Sequence, residues 1–422
     1  MRLHRDCVAA ILLIVVIAAP SIVHADSLSV RAGVGYDFLS QEYFLDTAQL
    51  FDTLEATVDL KSDYLDDFKG ILRLAWLPLD NRNLELRSTL EQSADDFRMR
   101  LDGDIRTKSS KLDFLLSSEF DWREHIGDSA DAGDGYVFGS TRARLKTKVN
   151  EMTSLWLETK ADFVTFEEVS AYSQSYYRVG GKLGLMRSFE SLSSLDLNLF
   201  YLARKVPDST ALDYSSAGVE GSFFGFYSLG TLDVYARLEL KDYNRPAEEM
   251  DYTRFEVDGR HQVRISQSLF LRQELDVDMT RFVAPDVVNL DYSRIGLVLL
   301  GGAELADFTF AIGPDLELLT EKDADNLPGQ DYFETAFRAD LDYLNPGVVF
   351  GSIESVTGFR NLEKESSLQS DFSFERVNLI ADWTLLGNLN LNILLSAEWE
   401  WHENRAENNR ILLLSSSLSY SF

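Results

Sequence analysis

From residue 28 onward, apolar side chains recur at every second position, which is the spacing of a β-strand with one apolar and one polar face. The clearest segment is 232–241, where Leu, Val, Ala, Leu and Leu alternate with Asp, Tyr, Arg, Glu and Lys. The segments are about 10 to 15 residues long, whereas strands of soluble sandwiches are typically about 5–6 residues and a tilted strand crosses a membrane in roughly 9–11. The pattern therefore favours strands that span a membrane.

The last strand carries the most specific signal. Over 412–422, one parity is Leu, Leu, Ser, Leu, Tyr and Phe, and the other is dominated by serine. This ending resembles the closing strand of bacterial outer-membrane β-barrels, in which a terminal aromatic residue is the assembly signal. The resemblance assigns that role to Tyr420 and Phe422. It covers residues 26–422 as a pattern and matches no particular subfamily.

The connections between segments alternate in length. Short turns are predicted at 150–152, near Ser191, at 345–347 and at 387–388, and longer polar loops at 124–134, 205–213, 243–250, 320–330 and 403–409. Short periplasmic turns and longer extracellular loops are typical of outer-membrane barrels. We therefore predict an all-β fold, a transmembrane antiparallel β-barrel of about 20 strands, with 18 to 22 allowed.

Two local features of this prediction are irregular. Residues 110–422 accommodate 16 strands, but the segments before residue 110 bring the total to 21, although such barrels have even counts. Either one N-terminal segment is miscounted or 26–50 is not a full strand. Near Phe372 the alternation slips by one residue, and we predict a β-bulge at 375–376.

Residues 1–25 have the composition of a secretory signal peptide. Arg2 and Arg5 precede an apolar run over 8–19, and Ala25 offers a cleavage site before Asp26. The run is about a dozen residues, shorter than the roughly 20 that a spanning helix needs. The predicted organisation is a signal peptide at 1–25 and a single barrel domain at 26–422, in which 26–50 is either the first strand or a periplasmic extension.

Charge and cysteine content exclude several classes of protein. The net charge of −29 argues against nucleic acid as a partner, because phosphate binding needs a basic surface. The one cysteine, Cys7, lies in the predicted signal peptide, so the mature chain has no disulfide and no cysteine-based metal site.

Charged residues occupy the parity opposite the apolar one. A cation facing lipid at mid-membrane costs about 2–4 kcal/mol, so these side chains are predicted to line the lumen. They either form a charged path that selects solutes or form cross-strand ion pairs that keep a wide barrel round, and the two roles are compatible. The predicted lumen-lining residues are Arg98, Arg100, Arg142, Arg144, Lys146, Lys148, Asp233, Arg237, Glu239, Arg272, Glu274, Asp276, Asp278, Arg338, Asp340 and Asp342.

Enzyme chemistry has little support. His402, beside Glu400 and Glu403, is the one histidine placed where a rim active site would need it. The chain has no Gly-rich phosphate loop, no HExxH and no paired CxxC. The acidic loops lack the spacing of a known Ca²⁺ loop. We therefore predict no catalytic residues, no cofactor and no metal site.

The leading functional hypothesis is a porin-like channel for passive passage of polar or charged solutes. The alternatives are a barrel component of an exopolysaccharide or cell-surface export system, which would need a periplasmic partner, and a structural or adhesive barrel with a closed lumen. All three place the mature protein in the outer membrane of a Gram-negative bacterium. Its expected partners there are outer-membrane lipid, lipopolysaccharide and the barrel assembly machinery.

Overall fold

The computed structural model describes residues 28–46, 57–76, 84–92, 96–125, 135–166, 174–207, 209–244, 250–285, 289–322, 331–363, 370–402 and 408–421. The predicted signal peptide and Phe422 lie outside these ranges. The described residues form one sheet of twenty strands. The strands are β1 (Leu28–Asp46), β2 (Thr57–Trp76), β3 (Leu84–Gln92), β4 (Asp96–Lys108), β5 (Leu112–His125), β6 (Tyr136–Lys148), β7 (Thr153–Phe166), β8 (Tyr176–Ser188), β9 (Ser194–Lys205), β10 (Tyr214–Tyr227), β11 (Gly230–Tyr243), β12 (Tyr252–Arg264), β13 (Leu269–Phe282), β14 (Asp291–Leu305), β15 (Phe308–Lys322), β16 (Tyr332–Asn345), β17 (Val349–Leu362), β18 (Phe372–Leu386), β19 (Leu389–His402) and β20 (Asn409–Ser421).

The sheet closes on itself. Each strand pairs antiparallel with the next one along the chain, and β1 also pairs with β20 from Arg31↔Ser421 to Tyr43↔Asn409. A closed sheet leaves no strand edge, so every strand has a neighbour on both sides. Helical structure in the described part of the chain includes a single turn of 3-10 helix at Thr210–Leu212, and none of its helices is long and apolar enough to cross a membrane. The prediction of an all-β antiparallel barrel of about 20 strands is confirmed.

The N-terminal strands resolve the odd strand count. The alternation divides this region into two apolar segments, near 54–61 and 72–76, which the count of 21 treats as separate strands. Residues 57–61 and 72–76 belong to the single 20-residue strand β2, and 54–56 lie outside the described residues. The residues between them, Lys61 to Gly70, are mostly polar, and this interruption hides the continuity of the strand from a periodicity argument. Pairing with β1 continues through these polar residues, so β2 is one strand. The 26–50 segment does contribute a full strand, β1.

The predicted bulge at 375–376 is wrong. β17 and β18 stay in uninterrupted register from Arg360↔Phe372 to Val349↔Trp383. Phe372 and Phe374 therefore lie on the inner face of the sheet with Arg376, where they are 7% and 0% exposed. The alternation changes there because two aromatic residues occupy inward positions, not because the strand slips. β18 does have an irregularity, but it lies further along the strand, in the pairing with β19 between Thr384 and Leu386.

From β4 onward, the two ends of the barrel differ in connection length. At one end, called here the short-turn end, the strands are joined by connections such as 149–152, 306–307 and 387–388. Gly347 and Gly387 have φ of +78° and +55° in two of these turns, a conformation that favours glycine. The opposite, long-loop end carries the connections around 126–135, 167–175, 283–290, 323–331 and 363–371. The predicted alternation of short and long connections is confirmed over this part of the chain.

The long loops share a hydrogen bond that the sequence analysis did not anticipate. In five successive loops of the long-loop end, an Asp at or just before the start of the returning strand accepts a hydrogen bond from a backbone N–H within one residue of the end of the preceding strand; these are Asp213, Asp251, Asp291, Asp331 and Asp371. Ser175 and Asn408 make the equivalent contact in two further loops. We call this contact the loop clasp. It satisfies a backbone donor where the sheet ladder stops and so defines the base of each loop.

The loop clasp is expected to contribute measurably to stability. In Asp291→Ala the N–H of Phe282 loses its acceptor at 2.7 Å, and we expect the free energy of unfolding to fall by about 0.5–1.5 kcal/mol. Urea titration of the refolded barrel, followed by tryptophan fluorescence, measures this change. Asp291→Asn keeps the Oδ1 acceptor and should stay near wild type, as should Asp242→Ala, an exposed Asp at the same end. An unchanged midpoint in Asp291→Ala would contradict the role of the clasp.

Candidate functional site

The inner face of the barrel is the candidate site. Outward-facing Leu238, Leu297 and Phe337 are 45%, 36% and 54% exposed, as lipid-facing side chains would be. On the other parity, Arg272 of β13 reaches Asp340 of β16 at 3.1 Å across two intervening strands, which requires the concave side. The strand registers place all sixteen predicted lumen-lining residues on this inner parity. Their part in solute passage stays a prediction.

One wall of the lumen is basic. On β6, the inward residues Arg142, Arg144, Lys146 and Lys148 form no ion pair with any described carboxylate. Instead, the Arg144 guanidinium lies 4.5 Å from the Trp156 ring centroid, and Lys146 Nζ lies 3.1 Å from Met186 Sδ. The neighbouring strands add more inward cations than carboxylates: Lys160, Arg178, Lys182 and Arg204 against Glu158, Asp162 and Asp196. We call β6–β9 the basic wall.

The wall across the lumen is acidic. Strands β16–β19 lie halfway round the ring from β6–β9, and their inward carboxylates outnumber their inward cations. The carboxylates are Glu334, Asp340, Asp342, Glu354, Asp382, Glu398 and Glu400, and the cations are Arg338, Arg360 and Arg376. Opposite charges on facing walls create an electric field across the lumen, perpendicular to the barrel axis.

The β13 carboxylates that were predicted to line the lumen are all paired with arginines. Asp278 pairs with Arg254 at 2.8 Å, Asp276 with Arg294 at 3.0 Å and Glu274 with Arg260 at 2.7 Å. Each carboxylate is therefore matched by an arginine from an adjacent strand. On this part of the wall the charges cross-link strands, whereas the four cations of β6 have no ion pair with a described carboxylate, and on β7 and β8 Lys160, Arg178 and Lys182 are paired.

A denser ion-pair network spans β13 to β17. Arg338 lies within 2.8 Å of Asp340, 3.4 Å of Glu274 and 2.6 Å of Glu354. Arg272 pairs with the same Asp340 and lies 3.8 Å from Glu274. The side chains of Arg338 and Asp340 are 16% and 9% exposed. The network thus ties several strands together through two arginines that lie largely out of solvent.

Inward aromatic rings lie directly opposite inward glycines. The four register pairs are Trp156–Gly184, Phe200–Gly218, Phe270–Gly302 and Phe374–Gly358. A Cβ on any of these glycines would come within 2.7 Å of a ring atom, so each ring lies flat against the wall of the barrel. An arginine guanidinium lies 4.2–5.7 Å from each ring centroid: Arg144, Arg237, Arg272 and Arg376. Because the rings lie flat, they do not project into the lumen, and the four arginine side chains beside them face it.

Tyrosines gather on the inner face at the long-loop end. Tyr176, Tyr214, Tyr243 and Tyr252 lie there on β8 to β12 and are called the mouth tyrosines. Lys241 Nζ lies 3.9 Å from the Tyr214 ring centroid, 5.0 Å from that of Tyr243 and 5.3 Å from that of Tyr252. The Arg204 guanidinium lies 4.6 Å from the Tyr176 centroid and 5.9 Å from that of Tyr214. This end of the barrel is therefore lined by cations held against aromatic rings.

His402 and Ser370 are not arranged as a base and a nucleophile. Its Nδ1 lies 3.5 Å from Ser370 Oγ but also 3.3 Å from the Ser370 carbonyl oxygen, and Nε2 lies 3.8 Å from Glu400. A carbonyl can only accept, so this contact puts the proton on Nδ1, and the ring cannot then take a proton from Ser370 at that atom. His261 faces outward, with its ring nitrogens against Tyr227 and Gln273.

Two of the four mouth tyrosines, Tyr214 and Tyr252, belong to a repeat in the sequence that the predictions did not use. An Asp followed by an aromatic residue recurs at 213–214, 251–252, 291–292, 331–332 and 371–372. This spacing of about 40 residues is one hairpin of two strands and their connections. The repeat marks both the loop clasp and the aromatic residue that follows it on the inner face. Among the described residues, no group of three or more His, Cys, Asp or Glu side chains is arranged to hold a metal ion.

Comparison with known proteins supports the fold. No family model matches the chain, and no curated protein matches its sequence. Among solved structures, the chain is similar to a BenF-like porin from Pseudomonas fluorescens Pf-5, with 11% identity, a TM-score of 0.50 and coverage of 94% of this chain and 100% of that one. The alcaligin receptor FauA from Bordetella pertussis gives 10% identity, a TM-score of 0.58 and coverage of 93% and 76%.

The siderophore receptor PirA from Pseudomonas aeruginosa gives 10% identity, a TM-score of 0.53 and coverage of 93% and 80%. Identities this low speak to the fold alone. The likeness extends over nearly the whole chain in all three comparisons; one of the three proteins is described as a porin, one as an outer-membrane receptor and one as a siderophore receptor. These matches show that the chain shares the fold of these three proteins, which agrees with its closed antiparallel sheet.

Proposed function

We propose that this protein is an outer-membrane channel that lets polar and charged solutes pass passively. The observation that carries the proposal is a closed barrel of twenty strands whose inner face is charged and whose outer face is apolar. A ring of this size, with strands about 4.8 Å apart and tilted about 40°, is roughly 40 Å across at the backbone. That width exceeds what wall side chains can fill, so an aqueous path fits the geometry.

The charge arrangement supports passage of charged solutes. The basic wall on β6–β9 faces the acidic wall on β16–β19, so a solute with separated charges is oriented as it crosses. The cations of β6 have no partner among the described carboxylates and can therefore attract anions, while ion pairs stiffen β12 to β14. The two roles predicted for the lumen charges are thus assigned to different parts of the wall.

The comparisons favour a porin over a receptor. The matched porin is covered over its full length, whereas the two siderophore receptors are covered over 76% and 80%. The described chain has only strands and a short 3-10 turn, so nothing in that part of it fills the lumen as a separate domain.

We propose that the protein resides in the outer membrane after cleavage at Ala25, with lipopolysaccharide and lipid as its neighbours. We also propose that it assembles through the C-terminal aromatic signal, of which Tyr420 faces outward and is 42% exposed.

Conductance in a planar lipid bilayer tests the proposal. We expect the refolded barrel to give steady single-channel steps with an ion-selective reversal potential under a salt gradient. Exchanging Arg142, Arg144, Lys146 and Lys148 for glutamine together should shift that potential towards cation selectivity. As a matched control, the outward cations Arg187, Lys205, Arg281 and Lys322 lose the same charge and should leave it unchanged. A folded barrel that passes no current would refute the channel.

A further inference from the structure

The pocket formed by the mouth tyrosines holds two cations without a carboxylate partner. Neither Lys241 nor Arg204 makes an ion pair with any carboxylate that the structure describes, although both face the lumen at its long-loop end. Both lie against Tyr214, at 3.9 Å and 5.9 Å from its ring centroid, so they are close neighbours. Elsewhere in the lumen, arginines such as Arg254 and Arg338 lie beside carboxylates. Among the described residues, the pocket therefore has two cations without a carboxylate partner.

The tyrosyl hydroxyls of this pocket are also unused. Tyr136, Tyr292 and Tyr332, at equivalent positions on β6, β14 and β16, donate their hydroxyls to Asp121, Asp278 and Glu317. The hydroxyls of the mouth tyrosines make no hydrogen bond to any described residue. At this strand position, β6, β14 and β16 thus carry a tyrosine whose hydroxyl is hydrogen-bonded. The strands between β6 and β14, namely β8, β10 and β12, carry a tyrosine whose hydroxyl has no described partner. This contrast distinguishes the pocket from the general aromatic lining of the mouth.

Two buried polar atoms point to the same place. Ser216 is 2% exposed, its register partners are Leu202 and Lys241, and its Oγ has no hydrogen-bond partner. Arg204 Nε is likewise buried without a partner. Buried polar groups are nearly always hydrogen-bonded in folded proteins, so the unpartnered Ser216 Oγ beside two cations that pair with no described carboxylate indicates a missing acceptor.

The pocket is held in place by its loops. Asp213, just before Tyr214, accepts hydrogen bonds from Val206 N at 2.6 Å and from Asn244 Nδ2 at 3.2 Å, so the bases of two neighbouring loops are joined. Asp251, just before Tyr252, accepts from Tyr243 N. Side chains fixed in this way lose little conformational entropy when a solute binds.

We propose that this pocket recognises the acid group of an acidic saccharide at the mouth of the channel. Lys241 and Arg204 would bind the carboxylate through charge-assisted hydrogen bonds, and Ser216 with the mouth tyrosines would bind the sugar hydroxyls. A hydroxylated ring bearing one carboxylate supplies acceptors for every unused donor in the pocket. The proposal deepens the proposed function, because it names a solute class that the channel selects at its entrance.

Blockade of the single-channel current by glucuronate tests this site, with glucose as the neutral counterpart and acetate as the bare carboxylate. We expect glucuronate to bind more tightly than either. Lys241→Met and Arg204→Met should each weaken that binding roughly tenfold or more, the loss expected for one charge-assisted hydrogen bond. Arg264→Met removes the same charge at the short-turn end and should retain glucuronate affinity.

Calorimetric titration of the detergent-solubilised barrel separates this proposal from the channel proposal. Current without glucuronate binding would overturn the site and leave the channel intact, whereas calorimetric binding without current would do the reverse. Equal weakening in Arg264→Met would reduce the effect to the overall lumen charge and overturn the site. Acetate binding as tight as glucuronate binding would show that the hydroxyls contribute nothing, and the saccharide assignment would be wrong.

Discussion

Replacing Arg338 with methionine is expected to lower the free energy of unfolding of the barrel by about 1–3 kcal/mol, the cost of leaving buried acceptors without their donor. Arg338 lies beside Asp340, Glu274 and Glu354 on the inner face. Methionine fills a similar volume but removes the charge, so carboxylates from neighbouring strands repel one another across the lumen wall. Equilibrium unfolding in urea, followed by tryptophan fluorescence, measures the loss.

The matched control for Arg338 is Arg264→Met. Arg264 pairs with Glu304 at 3.0 Å, but these two side chains are 57% and 35% exposed, and solvent-exposed pairs contribute only about 0–1 kcal/mol. Equal losses in the two variants would contradict the network.

Gly302→Ala is the second substitution with a large expected effect. A Cβ at this position would lie 2.2 Å from Phe270 Cζ, and Phe270 is 2% exposed and packs with Leu300 and Ala311. The ring must leave its place against the wall, at a cost of about 1–3 kcal/mol for an overpacked core. The displaced ring would also disturb Arg272, whose guanidinium lies 5.7 Å from it.

The adjacent glycine provides the control for this substitution. Gly301 faces outward with nothing within 4 Å of a built Cβ, so Gly301→Ala should leave the urea midpoint unchanged. Combining Gly302→Ala with Phe270→Leu removes the ring that the methyl group meets, and the double variant should lose less than the sum of the two single variants. Additive losses would show that the glycine has another role.

Local periodicity was sufficient for much of the barrel. Alternation over 232–241 and 412–422 predicts strands correctly, because burial of one face imposes a period of two on any strand. The same argument failed at Phe372 and Phe374, since it equates apolar with outward and cannot see an aromatic pair that packs inside the lumen. It also divided β2, because polar residues interrupt the alternation while pairing with β1 continues through them.

The sequence alone predicted only part of the candidate site. The sequence indicates which residues face the lumen, and the strand registers place all sixteen there. The pairing of Asp276 and Asp278 and the absence of pairing for Arg142 and Lys148 depend on neighbouring strands, whose alignment alternation leaves open. Tyr214 and Tyr252 could have been noticed from the Asp–aromatic repeat, but Tyr176 and Tyr243 lie outside it. The sequence also does not show that the hydroxyl of Tyr292 is hydrogen-bonded whereas those of the mouth tyrosines have no partner among the described residues.

By itself, the sequence determined that this chain forms membrane-length strands with one apolar and one charged face, because a period of two and a cost for charge in lipid leave few other arrangements. The tertiary structure alone decided which charges neutralise each other. Contacts such as Arg272 with Asp340 join residues 68 positions apart across two strands, and only the curvature of the closed barrel brings them within reach. The same curvature sets the basic wall opposite the acidic one, because strands far apart in sequence face each other only when the sheet closes.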